Sequence, residues 1–251
     1  MNRIFRTLDL LLGLALTFAL AMTVATALPG QAMAADAVAG SGQASTERRT
    51  VPEFTAVSAT GGIDVRIRQA AQQTLDVRAD AKLLALLETV VEGDKSLQIR
   101  WKHNNQPRTR NQPVVEIGMA QLKGLASSGS SDIRVDGFKT TQLVAAVSGS
   151  GDIRLNGLQA EQLGVSIAGS GDVSASGQVV RLQVKIAGSG DVHSEGLKAE
   201  DVTVSIAGSG DAAVQADKTL TVSIAGSGDV VYTGAATVKS SIVGSGNVTK
   251  R

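Results

Sequence analysis

Leu163-Gly164-Val165-Ser166-Ile167-Ala168-Gly169-Ser170-Gly171-Asp172 is the stretch that decides the fold, because the chain repeats it. Leu182 to Asp191, Val202 to Asp211 and Leu220 to Asp229 carry the same alternation of apolar residues closed by Gly-Ser-Gly-Asp. The closing tetrad also stands at Gly149-Ser150-Gly151-Asp152. A degenerate copy, Gly129-Ser130-Ser131-Asp132, comes before it, and Gly244-Ser245-Gly246-Asn247 ends the series. Successive tetrads start 20, 20, 19, 20, 18 and 18 residues apart. A period of that length is one coil of a solenoid, whereas a propeller blade needs about 40 residues.

Apolar residues at every second position describe a strand with one buried face. Leu163, Val165 and Ile167 point inward, and the intervening Ser166, Lys185, Ser205 and Ser223 are expected to face water. After the turn comes a shorter strand, such as Ile153-x-Leu155 or Val230-x-Tyr232. A glycine five residues beyond the Asp closes it in most copies: Gly137, Gly157, Gly177, Gly196 and Gly234. One copy cannot bury its own apolar stripe, but copies stacked in parallel bury it as Leu upon Leu and Ile upon Ile. The expected fold is therefore all-β, a parallel β-solenoid (β-helix) of about seven rungs of 18–20 residues spanning 119–251. At roughly 4.8 Å per rung it is a rod about 30 Å long. Glycine in the tetrad supplies the positive φ of a sharp corner, and the Asp side chain can accept from nearby backbone N–H groups.

Composition narrows the function classes. Aromatics make up 2% of 251 residues and hydrophobics 43%, with 28 Gly and 4 Pro, so the core is built of Val, Ile, Leu and Ala. Few aromatics speak against stacking platforms for sugars or bases, and a net charge of +1 gives no electrostatic footprint for nucleic acid. There is no cysteine, which removes disulfides, thiolate nucleophiles and a lipoprotein anchor. His103 and His193 are the two histidines, too few for a His-rich metal site.

Arg3 and Arg6 precede a 19-residue apolar run from Leu10 to Leu28, followed by Ala32-Met33-Ala34. That order reads as a signal peptide over 1–34, cleaved after Ala34, although the run is long enough to serve as an uncleaved anchor. Residues 35–49, rich in Ala, Gly, Ser and Gln, read as a flexible linker. Residues 50–118 lack the repeat. Phe54–Ser58, Ile63–Ile67, Thr74–Val77, Leu97–Trp101 and Val114–Ile117 read as strands, and Ala81–Val91 as a short helix ending at Gly93. His103–Pro113, with Arg108 and Arg110, reads as a polar loop. This β-rich region is expected to cap the first rung, since a bare solenoid edge invites pairing with other chains. No comparable cap is expected at the other end, so self-association through the C-terminal edge is one expectation.

Val51-Pro52-Glu53-Phe54, Ile63-Asp64-Val65-Arg66-Ile67, the Ala81–Gly93 segment, Leu97-Gln98-Ile99 and the Gly-Ser-Gly-Asp ladder occur in that order over about residues 50–248. Together they resemble the family of exported bacterial proteins known as putative autotransporter adhesin, head GIN domain. The resemblance implies a β-helical fold and a surface or periplasmic location. An autotransporter exports itself through a C-terminal barrel of amphipathic strands with aromatic girdles, a pattern not seen here. The chain is therefore expected to be periplasmic, released, or carried outward by other machinery.

The candidate site is the Asp column: Asp132, Asp152, Asp172, Asp191, Asp211 and Asp229. Stacked carboxylates repel one another, and solvent, backbone N–H donors or bound cations can relieve this. A weak Ca²⁺ ladder is thus a candidate beside a purely architectural turn, and no other cofactor is expected. Arg134 and Arg154, on adjacent rungs, can meet an acidic sugar or stand as solvated strand-face charges. His193, in one repeat alone, reads as a surface residue. Polysaccharide lyases and hydrolases also use β-helices, but identical carboxylates lack the unlike environments that separate an acid from a base. The expected function is a non-catalytic exported scaffold, adhesion or binding module of the cell envelope, with an envelope protein, glycan or surface ligand as partner. A polysaccharide-active lyase or hydrolase is the alternative.

Overall fold

The computed structural model describes residues 40–102, 107 and 111–251. The expected signal segment, its cleavage point and most of the loop with His103, Arg108 and Arg110 lie outside the described residues. The described chain is a parallel β-solenoid with no α-helix. Its strands are β1 (Ala44–Arg48), β2 (Ala56–Thr60), β3 (Asp64–Gln69), β4 (Thr74–Asp80), β5 (Leu87–Glu92), β6 (Ser96–Trp101), β7 (Val114–Met119), β8 (Gly124–Gly129) and β9 (Ile133–Asp136). They continue as β10 (Lys139–Gly149), β11 (Ile153–Gly169), β12 (Val173–Gly188), β13 (Val192–Gly208), β14 (Ala212–Gly226), β15 (Val230–Thr233), β16 (Thr237–Gly244) and β17 (Val248–Lys250).

The repeat sets the register. Leu143 pairs with Leu163, Leu163 with Leu182, Leu182 with Val202 and Val202 with Leu220, while Ile167, Ile186, Ile206, Ile224 and Ile242 form a second column. All of these except Ile242 are at most 2% exposed, so the interior is a file of branched aliphatic side chains. Of the intervening residues, Ser205 and Ser223 face solvent and Lys185 is half-buried, whereas Ser166 is buried.

The corners explain the glycines. Ser150 and Gly151 both donate their N–H to the Gly129 carbonyl of the rung below, at 2.7 and 3.1 Å, and the next copies repeat this. Backbones approach so closely that a Cβ on Gly149 would lie 2.4 Å from the Gly129 oxygen, and one on Gly151 2.1 Å from the Ser131 oxygen. Gly149 also has φ +128°, which side chains disfavour.

The region before the repeat is more than a cap. β2 pairs in parallel with β6 on one edge and with β8 on the other. β3 likewise lies between β7 and β9. The first rung in sequence is therefore inserted between two later ones, and 50–118 supplies rungs of the same rod. Antiparallel strands then close this end: β5 on β6, β4 on β7, and β1 on β4.

Two expectations need correction. Ala81–Val91 is not a helix: Leu84–Leu86 form a single 3₁₀ turn, and Leu87 onward is β5, hairpinned to β6. Leu83, Leu84 and Leu87 are buried as a helical stripe would be, but Thr89, Val90 and Val91 are β-branched and favour the free edge of β6. Within the expected linker, Ala44–Arg48 is strand β1. All five side chains of β1 are exposed, so its sequence has no apolar alternation. Backbone pairing to β4 and the Arg48–Asp76 ion pair at 2.8 Å hold it.

Candidate binding face

Each turn Asp occupies the same place at a corner, and each carboxylate serves the rung above. The N–H of Asp152 donates to Oδ1 of Asp132 at 2.9 Å, that of Asp172 to Asp152 at 3.1 Å, and that of Asp191 to Asp172 at 2.9 Å. Asp211 donates to Asp191 and Asp229 to Asp211, both at 2.7 Å, and Asn247 donates to Asp229 at 2.8 Å. The main-chain carbonyls run the other way: Ile153 donates its N–H to the Asp172 oxygen and Val173 to that of Asp191. One Oδ of each Asp from 132 to 229 is thus an architectural acceptor. Rung spacing presents the carboxylates in single file. Among the described residues no group of three or more His, Asp or Glu is placed to hold a metal ion.

The structure adds a member that the sequence reading missed. Thr60 pairs with Ser128 and Val65 with Ile133, so Gly61-Gly62-Ile63-Asp64 is a corner and Asp64 heads the column below Asp132. Gln112 donates to Asp64 Oδ1 at 3.4 Å. Burial pushes the Asp64 carboxyl up, and the neighbouring Asp132 charge adds to this, against the opposing hydrogen bond from Gln112. Asp64 followed by alternating Val65-Arg66-Ile67 was a visible signal, but its corner lacks the Ser-Gly of the other copies.

Beside this column runs a second of opposite charge. Arg66, Arg134 and Arg154 stand on three adjacent rungs, followed by Ser174, His193 and Ala213. Arg154 bridges the Asp column, reaching Asp152 at 2.8 Å and Asp132 at 3.6 Å. Arg134 donates to both oxygens of Asp136, at 3.1 and 3.0 Å, and Asn156 donates to the same carboxylate at 2.7 Å. Those bonds, Arg134 first, hold the Asp136 carboxyl below its usual range. Both arginines singled out from sequence are therefore engaged by neighbours. His193 is exposed, as expected.

Toward the capped end the lattice continues as Glu116 on β7, Asp76 on β4 and Arg48 on β1. Arg48 grips Asp76 through Nε at 2.8 Å and Nη2 at 3.1 Å, lowering the Asp76 carboxyl. Arg66 and Glu116 are looser, at 3.9 Å. Here the face dips into a depression of about 190 Å³ over Gly118, with Arg66, Arg68, Thr74 and Glu116 around it. A larger groove of about 670 Å³ lies near the hairpin, lined by Leu84, Leu87, Val90, Arg49, Glu88 and Lys102, with the Arg49 guanidinium donating to the Leu84 and Leu87 carbonyls.

A family model described as putative auto-transporter adhesin, head GIN domain, matches residues 53–236. A putative adhesin from Bacteroides fragilis has a similar solved structure (TM-score 0.77, 23% identity), covering 85% of this chain and 100% of that one. A putative lipid binding protein from Parabacteroides distasonis aligns at TM-score 0.71 and 25% identity over 85% of this chain and 99% of that one. A putative adhesin from Parabacteroides merdae aligns at 0.66 and 23% over 86% and 100%. No curated protein matches the chain.

Proposed function

Because the chain belongs to the putative auto-transporter adhesin, head GIN domain family, we propose that it is an exported, non-catalytic binding protein of the cell envelope whose solenoid holds contact residues in fixed columns. One observation carries this reading. The six repeated carboxylates sit in equivalent corners, each bonded to the next rung's N–H, and so serve the stacking of the rungs. Rungs locked to their neighbours suit contact by pre-organised side chains, which lose little entropy on binding. The test incubates the purified chain with envelope polysaccharides and follows both sedimentation with the polymer and release of reducing ends. Retention without release is expected; steady release of new ends would make the chain an enzyme. Export is checked separately by N-terminal sequencing of protein from the cell envelope fraction, where a start at Ala35 is expected.

A second reading rests on the larger groove. Leu84, Leu87 and Val90 beside the charged Arg49, Glu88 and Lys102 give it a mixed lining that suits an amphiphile, and one structural neighbour is named a putative lipid binding protein. Quenching of Trp101 by brominated-lipid vesicles would favour it, and unchanged fluorescence would leave the first reading standing alone.

A further inference from the structure

We propose that the depression over Gly118 binds one carboxylate-bearing sugar ring of an acidic polysaccharide, with Arg68 as the carboxylate contact. This rests on the binding-protein reading and assigns it a site and a ligand class.

Arg66 and Arg68 lie two residues apart on β3, so both project from the same face, roughly 7 Å apart. Around them, Asp76 is held by Arg48 and Asp136 by Arg134 and Asn156. Glu116 has Arg66 at 3.9 Å. Arg68 is exposed and, among the described residues, makes no hydrogen bond or ion pair; its charge acts through space to lower Asp76. Of the four arginines here, Arg48 and Arg134 are hydrogen-bonded to Asp76 and Asp136 and Arg66 faces Glu116, so Arg68 is the one without an ion-pair partner among the described residues. A guanidinium with its fork of donors free is matched by a carboxylate in bidentate geometry.

Shape points to something small and ring-like. Position 118 has no side chain, and Thr74 and Ala70 pack down against it beside the depression. A Cβ there would lie 2.6 Å from Thr74 Oγ1 and 3.2 Å from the Ala70 Cβ. At about 190 Å³ the space falls well below that of a drug-sized pocket and suits a single ring. Gly118 N–H donates to Thr74 Oγ1 at 3.2 Å, so the Thr74 hydroxyl hydrogen is free to donate to an incoming oxygen.

The remaining lining decides between a sugar and a peptide. Asp76, Glu116 and Asp136 line the same depression, and as ionised carboxylates they only accept. A ligand there must bring hydroxyl donors as well as its acid. A hexuronate has both on one ring, whereas an Asp- or Glu-rich peptide would set its side chains against three carboxylates. The face is also open along the rod, so a polymer can continue across neighbouring rungs.

The experiment titrates the full chain with oligogalacturonate, with a neutral oligosaccharide of equal length and with an acidic hexapeptide, at low and moderate salt. The variants are Arg68→Gln, which keeps the side-chain length, and Arg68→Lys, which keeps the charge but not the fork. Oligogalacturonate alone is expected to bind. R68Q should weaken it at least tenfold and R68K several-fold, with melting temperatures unchanged because Arg68 is exposed and unpaired. Failure of oligogalacturonate to bind, or equal binding by R68Q, overturns the site. Equal binding by the acidic peptide overturns the sugar assignment. Cleavage of the bound oligomer, followed as new reducing ends, would overturn the non-catalytic reading while leaving the site in place.

Discussion

Asp211 donates its backbone N–H to Oδ1 of Asp191 at 2.7 Å, and Asp229 does the same to Asp211. The carboxylate is needed there as an acceptor, and its charge is incidental. Asp191→Ala strands the Asp211 N–H and should cost about 1 kcal/mol, read as a lower melting temperature. Asp191→Asn keeps an acceptor oxygen and should cost much less. Millimolar Ca²⁺ is expected to leave the melting temperature of the parent unchanged; a clear rise would mean that a cation binds the native column. Asp64 behaves differently, because burial raises its carboxyl above the unfolded value. Its ionised form is therefore disfavoured in the folded state, so it opposes stability above the unfolded carboxyl range and ceases to do so in acid. Asp64→Asn should raise the melting temperature at pH 7 and leave it unchanged near pH 3. Asp76 and Asp136 have the opposite sign: lowered by Arg48 and Arg134, they support the fold above the unfolded range and lose that support as pH falls through their folded values. The Asp column was legible because five identical corners and one degenerate copy advertise it. Asp64 was not, since its corner is Gly61-Gly62-Ile63 and its rung is out of sequence order. The Arg68 site was illegible for another reason: it depends on which neighbours are already paired, and that is a property of the lattice.

A corner of the solenoid places two distinct demands on glycine, and the two can be separated. Gly190 has an ordinary φ, yet a Cβ there would lie 2.2 Å from the Gly171 oxygen and 2.9 Å from Ile167 Cγ2. Gly137 has φ +62° but open space around its Cβ. Gly137→Ala should therefore cost only the left-handed penalty, about 1–2 kcal/mol. Gly190→Ala must push two rungs apart, breaking the Gly190 N–H to Gly169 bond of 3.2 Å, and should cost more than 3 kcal/mol. Urea unfolding of both variants measures the difference; equal losses would mean that backbone conformation governs the corner and stacking does not. Period-two alternation made these strands readable in advance, including β3, β6 and β7 outside the repeat. The 3₁₀ turn at Leu84–Leu86 and strand β5 were misread because Leu83, Leu84 and Leu87 fit a helical stripe as well as a turn entering a hairpin. Strand β1 carries no apolar residue inward at all, so only the partner edge of β4 reveals it.

At the scale of the whole molecule, the order of rungs differs from the order of sequence, and this makes its two ends unequal. β14 is flanked beyond by β15 and β16, and among the described residues β17 pairs only with β15, so residues after Gly226 form an outer layer. Removing 227–251 exposes one new edge and leaves every inner pairing intact, as nearest-neighbour stacking allows. A chain ending at Gly226 should keep its β-sheet circular dichroism and unfold cooperatively at a lower temperature. β2, by contrast, lies between β6 and β8, with Val57 paired to Leu97 on one side and Leu125 on the other. Starting the chain at Gly62 deletes a layer from the interior and strips two edges at once. It also uncovers Leu97 and Leu125, which are 0% and 3% exposed in the intact rod. The chain cannot close that gap by sliding, because β3 is still held between β7 and β9. This amino-terminal cut should abolish cooperative unfolding and bind an apolar dye, although it removes fewer described residues than the carboxy-terminal one. Hydrogen exchange of the intact protein should show the same asymmetry, with β2, β3, β8 and β9 among the slowest amides and β16 and β17 among the fastest. Uniform protection from end to end would mean that the inserted rung adds no cooperativity, and that the rod melts as a plain one-dimensional stack.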